Sequence, residues 1–301
     1  MHADCGSGDP FTAEALRDRV AALAAPELDG RAPGTPGDRA ARAIVVEQLA
    51  CLGLEPAGDR AGSGSAAPSF EQAFTASGGA RTANILALVR GTDPAAGIVL
   101  VTAHVDHLGS GHLGANDDAS GVAALLAIAG AAHGAGPQPR TIAFAVFGDE
   151  EGGMVGSTFF TAHPPPELPI ADLVQVVELD MVGSHDSAGL VGAMGAFAGT
   201  PQRAQLDAAL PAVHGIHVAA GGKARGSDFA PFCALGVPYT FFWTPDRRCY
   251  HQTCDTIDRL DVRHMSTIAR LAGALVQRLA TTKTDLVAWR AKHGCGGMIA
   301  D

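Results

Sequence analysis

The chain has no run of basic residues, no apolar stretch of membrane-spanning length and no Cys-x-x-Cys pair. Each absence removes a class of function. Without a basic run, nucleic acid is not an expected partner. Lys and Arg number 21 against 31 Asp and Glu, a net charge of −10. The apolar runs at 121–132 and 140–147 are too short to cross a bilayer and are bounded by turn residues. With no Cys-x-x-Cys among the six cysteines, a structural zinc ribbon is excluded. Also missing are a His-Glu-x-x-His helix, a Gly-Lys-Ser/Thr phosphate loop and a Gly-x-Ser-x-Gly nucleophile turn, which removes the commonest rival hydrolase mechanisms. Charged residues are scarce at 17% against 47% hydrophobic, which argues for a folded chain.

What is present points to an α/β architecture. At 301 residues the chain suffices for one sizeable domain with a full core, and it is read as a single catalytic domain over 1–301, with 1–10 a frayed leader. Compact apolar or β-branched runs at 82–90, 98–103, 141–147, 173–179 and 237–243 suit buried strands. Segments with helical spacing lie before and between them, at 12–25, 38–52, 119–133, 155–163, 201–213 and 228–235, and a long amphipathic helix closes the pattern at 262–281. Residues 58–69 read as a surface loop. This alternation predicts a three-layer sandwich, a mixed and mostly parallel twisted sheet with helices on both faces. Ligands in such folds bind beyond the carboxyl ends of the strands.

The polar clusters fall at those ends. His104-Val105-Asp106 follows the second strand, and Asn116-Asp117-Asp118 opens a helix. Asp149-Glu150-Glu151 follows the third strand, Asp180 the fourth, and Tyr250-His251 lies in the loop after the fifth. Singly, each has an ordinary explanation: a hydrogen-bonded pair, an N-cap, a solvated loop or a turn former. Jointly, so many acids on one sheet edge would repel one another unless a cation held them. Two histidines with three carboxylates suit Zn²⁺, with Co²⁺ or Mn²⁺ as alternatives, and two ions sharing one carboxylate would use the whole set. His107 lies beside the cluster and is left unassigned. Gly109-Ser110-Gly111-His112-Leu113-Gly114 matches a dinucleotide fingerprint, but it leads into two carboxylates that would repel a pyrophosphate, so it is read as a loop.

Cys249 and Cys254 flank His251. A disulfide there would close a small loop and imply export, whereas two separate thiols would suit a reducing compartment. Cys5 and Cys295, near opposite ends, are a candidate pair. The polar segment 2–10 is no secretory signal, which leaves a cytoplasmic chain or one whose signal has been trimmed.

The ordered series His104-Val105-Asp106, Gly114-Ala115-Asn116-Asp117-Asp118-Ala119-Ser120-Gly121, Glu150-Glu151-Gly152, Leu179-Asp180-Met181, Ser227-Asp228, Tyr250-His251 and Asp255-Thr256 resembles the M28 family of dinuclear zinc peptidases, from Thr12 to Thr281. The Cys-Tyr-His-x-x-Cys arrangement resembles that family's secreted bacterial aminopeptidases. The resemblance implies two zinc ions per chain, one held by His104 and Asp180, the other by Glu151 and His251, with Asp117 bridging. It implies Glu150 as general base, Tyr250 as an oxyanion donor and a cis peptide bond between Asp117 and Asp118. Asp106 would hold the other ring nitrogen of His104, and Asp118 would also stand behind the ligands. Phe229 stands where the family often has histidine. The implied activity is removal of N-terminal residues from peptides, by a secreted or periplasmic enzyme that acts as a monomer on a substrate with a free amino terminus. The same residues leave three alternatives: a carboxypeptidase using Arg225, Arg247 and Arg248, a single-zinc glutaminyl cyclase, or a catalytically dead receptor domain.

Overall fold

The structure, a computed structural model, describes residues 8–60, 67–224 and 226–295. Its strands are β1 (Glu55–Pro56), β2 (Glu71–Thr75), β3 (Arg81–Val89), β4 (Ile98–His104), β5 (Thr141–Phe147), β6 (Leu173–Leu179), β7 (Leu190–Met194), β8 (His217–Ala220) and β9 (Tyr239–Trp243). They form a single sheet in the order β1-β3-β5-β4-β6-β9-β7-β8, with β2 also paired to β3. The parallel part is the centre, β5-β4-β6-β9. Outside it, β3 and β7 run antiparallel to their central neighbours, and β7 and β8 are parallel to each other.

Both faces of the central strands are apolar, and alternation along each strand divides the core in two. Val99, Val101 and Ala103 of β4 join one buried cluster with Ile142, Phe144 and Val146 of β5. Leu100 of β4 joins Ala143, Ala145 and Phe147 in the other. The first cluster is covered by α1 (Ala13–Leu23), α2 (Pro36–Cys51), α3 (Gly121–Gly134), α5 (Pro201–Ala209) and α7 (Val262–Thr281). The second is covered by α4 (Val155–Ala162) and α6 (Phe229–Ala234). A last helix, α8 (Leu286–His293), follows. Helix α7 buries Met265, Ile268, Ala269, Ala272, Leu275, Val276 and Leu279, the three-and-four spacing of a one-sided helix. Helix α3 is buried almost all round from Gly121 to Ala129, as its lack of polar side chains requires.

Three expectations need correction. Helix α2 starts at Pro36, two residues before the sequence reading placed it, because Thr35 caps Asp38 through its hydroxyl and proline is suited to the first helical position. Strands β1, β2, β7 and β8 and helix α8 were not anticipated. The strands are short or lie at the sheet's edge, and no residue of β1 or β8 is fully buried. Cys295 bonds to Cys233, across 62 residues, and not to Cys5, which lies outside the described residues. Of the supposed leader, residues 1–7 also lie outside them, while Asp9 is paired with Arg270 of α7. The Cys249–Cys254 bridge is present. No helix among the described residues is long and apolar enough to cross a membrane.

Candidate metal centre

The parallel centre of the sheet delivers the polar residues to one edge. His104 is the last residue of β4, and Asp180 follows the last residue of β6. Glu150 and Glu151 follow β5 after a turn in which Asp149 takes a left-handed conformation. His251 lies beyond β9, also left-handed, inside the loop closed by Cys249–Cys254. Asp117 sits in a distorted turn before α3, and its peptide bond to Asp118 is cis.

The five expected ligands converge. Asp117 faces both histidines: its Oδ1 is 3.3 Å from His104 Nε2 and its Oδ2 is 3.3 Å from His251 Nε2. Asp180 Oδ1 lies 3.6 Å from His104 Nε2, and Glu151 Oε2 lies 3.0 Å from His251 Nε2. Donors about 2.1 Å from a shared tetrahedral ion stand about 3.4 Å apart, so these separations fit two ions with Asp117 between them. Asp180 Oδ1 and Glu151 Oε1 are buried without hydrogen-bond partners, as carboxylate oxygens waiting for a cation would be. The residues present therefore fit a pair of divalent ions.

The expected ligands are held from behind. Asp118 accepts from the main-chain N–H groups of His104 (3.1 Å), Gly121 (2.9 Å) and Met181 (3.1 Å), tying β4, α3 and the end of β6 together. Gly121 has no room for a Cβ, which would run into Asp118 and the carbonyl of Leu179. Asp106 acts differently from expectation. Its carboxylate is 3.8 Å from His104 Nδ1, too far for a hydrogen bond; the ring nitrogen meets the Asp106 carbonyl oxygen at 3.2 Å instead. The carboxylate accepts from the N–H groups of Glu150 (3.0 Å) and Glu151 (3.3 Å), so it fixes the turn that carries both glutamates.

Two further holders were not found from sequence. Arg31 is fully buried and donates to the carbonyls of Val105 (2.7 Å), Leu23 (2.8 Å), Leu113 (2.6 Å) and Gly114 (2.9 Å), clamping the loop between His104 and Asp117. A lone arginine in a Gly/Pro segment carries no signal of this. Asp255 accepts from the N–H groups of Asn116 (2.8 Å) and Asp117 (3.0 Å), and burial pushes its carboxyl up to about 6. Its place in the ordered motif series was the one available hint.

The electrostatics follow from burial among acids. Burial and the neighbouring Asp228, Asp180 and Asp106 push Glu150 up to about 9. Burial alone would lower the pKa of His104, but Asp106, Asp117 and Asp180 hold it well above the usual imidazole range. Hydrogen bonding to Asp117 raises His251. Tyr250 stacks on His251 with ring centroids 3.9 Å apart, and partial burial with the nearby carboxylates pushes its hydroxyl up to about 12, so it keeps its proton. Ser227 donates to Asp180 Oδ2 (3.0 Å) and to Glu178, a buried acid that burial pushes up to about 8. Phe229 stacks on Tyr239 in the second core, which explains an aromatic residue there.

The sequence matches Peptidase family M28 over residues 84–276, well over half of its length. The chain belongs to that family. As an M28 member it is 29% identical over 284 residues to Leupeptin-inactivating enzyme 1 of Streptomyces exfoliatus, a match that covers 80% of this chain and 62% of that protein. The chain thus spans about three-fifths of the length of that relative. Among solved structures it resembles the aminopeptidase from Aneurinibacillus sp. strain AM-1, 27% identical with a TM-score of 0.58 over 68% of this chain and 50% of the other. It also shares its fold with the Porphyromonas gingivalis glutaminyl cyclase, 22% identical, with a TM-score of 0.72 over 89% and 99% of the two chains.

Proposed function

We propose that this M28 protein is a dinuclear zinc aminopeptidase. The observation that carries the reading is the placement of Asp117, with one oxygen toward His104 and the other toward His251 at equal distance. His104 and Asp180 would hold one ion, Glu151 and His251 the other, and Asp117 both. When bound, zinc polarises the scissile carbonyl and makes hydroxide available at neutral pH.

The remaining chemistry belongs to the chain's own side chains. Glu150 stands beside the ligand Glu151 in a turn pinned by Asp106, so one carboxylate is committed to binding and its neighbour stays free to move a proton. Glu150 takes the proton of the attacking water and hands it to the leaving amine. Tyr250, still protonated, donates a hydrogen bond to the carbonyl oxygen as it gains charge. The carboxylates around the site offer counter-charge to a substrate α-ammonium group. Of the arginines that could meet a terminal carboxylate, Arg248 turns to Asp186, 3.7 Å away, and Arg225 lies outside the described residues. The bridges Cys233–Cys295 and Cys249–Cys254 support an oxidising compartment, so the enzyme acts outside the cytoplasm.

The test is a substrate panel with metal counting. The zinc-loaded chain should cleave amino-acid amides and peptides with a free amino terminus and spare N-blocked peptides. Cleavage of N-blocked peptides from the carboxyl end would support a carboxypeptidase instead. Cyclisation of N-terminal glutamine with one zinc per chain would replace the peptidase reading by the cyclase whose fold it shares.

A further inference from the structure

His107 is the one imidazole at the site that the roles above leave idle. It is 1% exposed, and neither ring nitrogen has a hydrogen-bond partner. Leaving a buried polar group unpaired costs about 1–3 kcal/mol, and folded proteins rarely tolerate it. The ring is not remote from the ligands. Its Nδ1 lies 2.7 Å from Glu151 Oε1, yet the two are not aligned as a hydrogen bond, and that oxygen is itself without a partner. His107, Asp117 and Glu151 each present a donor atom within 4.8 Å of the other two. The ring also meets His251 edge-on, with centroids 5.8 Å apart.

We propose that His107 is a further protein ligand of the second ion, bound through Nδ1 beside Asp117, Glu151 and His251. This deepens the dinuclear reading and rests on it. The approach of 2.7 Å suits crowding around one ion. Adjacent donors at right angles in a five-coordinate zinc site stand only about 2.9 Å apart, and both oxygens of Glu151 with Asp117, His107 and His251 make five donors. An ion shared by Nδ1 and Oε1 would account for a close approach that is not a hydrogen bond.

The consequence is an unequal pair of sites. The first has one imidazole and two carboxylates. The second has two imidazoles, is more nitrogen-rich, and should favour zinc over harder ions such as Mn²⁺ or Mg²⁺. The second ion should therefore be the one retained longest against a chelator.

X-ray absorption at the zinc edge on the doubly loaded wild-type protein counts imidazoles directly. Three per pair of ions are expected, falling to two in His107→Ala and His107→Gln. Dialysis against graded chelator, with zinc counted by mass spectrometry, should show one tightly held ion in wild type. Both variants should lose that retention by about 10–100-fold, the range seen when ligand surroundings are removed. Circular dichroism of the metal-free variants identifies a folded protein, and the glutamine variant keeps the bulk of the side chain. Two imidazoles per ion pair in wild type, or unchanged retention in folded variants, would overturn the proposal and leave the peptidase reading intact. Fewer than two ions in wild type would overturn the dinuclear reading itself.

Discussion

Replacing Asp106 by asparagine separates two accounts of how the site is built. In one, the Asp106 carboxylate orients His104, and its loss weakens the first metal site. In this structure that carboxylate is 3.8 Å from the ring, and the bond comes from the main-chain carbonyl, which asparagine keeps. The side chain instead accepts two N–H groups from Glu150 and Glu151. An asparagine can accept one of these, but its amide presents a donor to the other. One hydrogen bond to a charged group is lost, about 1.5–3 kcal/mol, and an N–H is left unpaired in a buried setting. We expect a destabilisation of about 3 kcal/mol, a few degrees in melting temperature. The turn carrying Glu150, the proposed general base, should shift, and a displacement of about 1 Å can cost about 100-fold in kcat. Metal at the His104–Asp180 site should bind nearly as in wild type. Site-resolved zinc affinities, thermal melts and single-turnover rates decide the matter. A variant with weak first-site binding but an unchanged rate per bound metal pair would refute the reasoning.

Other consequences are independent of that one. Arg31→Met removes four hydrogen bonds to main-chain carbonyls and should destabilise the chain by about 4 kcal/mol, read by denaturant unfolding; a change under 1 kcal/mol would contradict the clamp. Cys233→Ser opens a loop of 62 residues and should cost up to about 4 kcal/mol with kcat unaffected, because the pair sits in the second core. Loading zinc at pH 8 should release protons, since without metal Glu150 (about 9) and His104 are both held above their usual values; titration calorimetry in buffers of different ionisation heat counts them. The share from Glu150 should fade as the pH rises past its raised value, because the carboxylate is then already ionised. Glu150→Gln should keep two zinc ions and lose about 10²–10⁴ in turnover.

Much of this site was legible because chemistry and topology coincide. Buried parallel strands are continuous apolar runs, so the ends of β4, β5 and β6 could be read to within a residue, and the polar residue following each end stood out. Strands β7 and β8 were invisible for the opposite reason. They are short, β7 contains Gly192, and β8 is half-exposed, so neither shows the pattern of a buried strand. The supports behind the ligands were harder still. Asp106, Asp255 and Arg31 work through main-chain atoms, and main-chain atoms leave no trace in residue type. His107 illustrates the same limit, since its meaning depends on a close approach to Glu151 that is not a hydrogen bond, which only the folded structure reveals.

The central claim is that side chains from separate strand ends share a pair of ions through Asp117. Anomalous diffraction at the zinc edge from zinc-loaded crystals tests it most directly. Two peaks about 3.5–4 Å apart are predicted, one at His104 and Asp180 and one at Glu151 and His251, with an oxygen of Asp117 on each. A single peak, or peaks away from Asp117, would contradict the account.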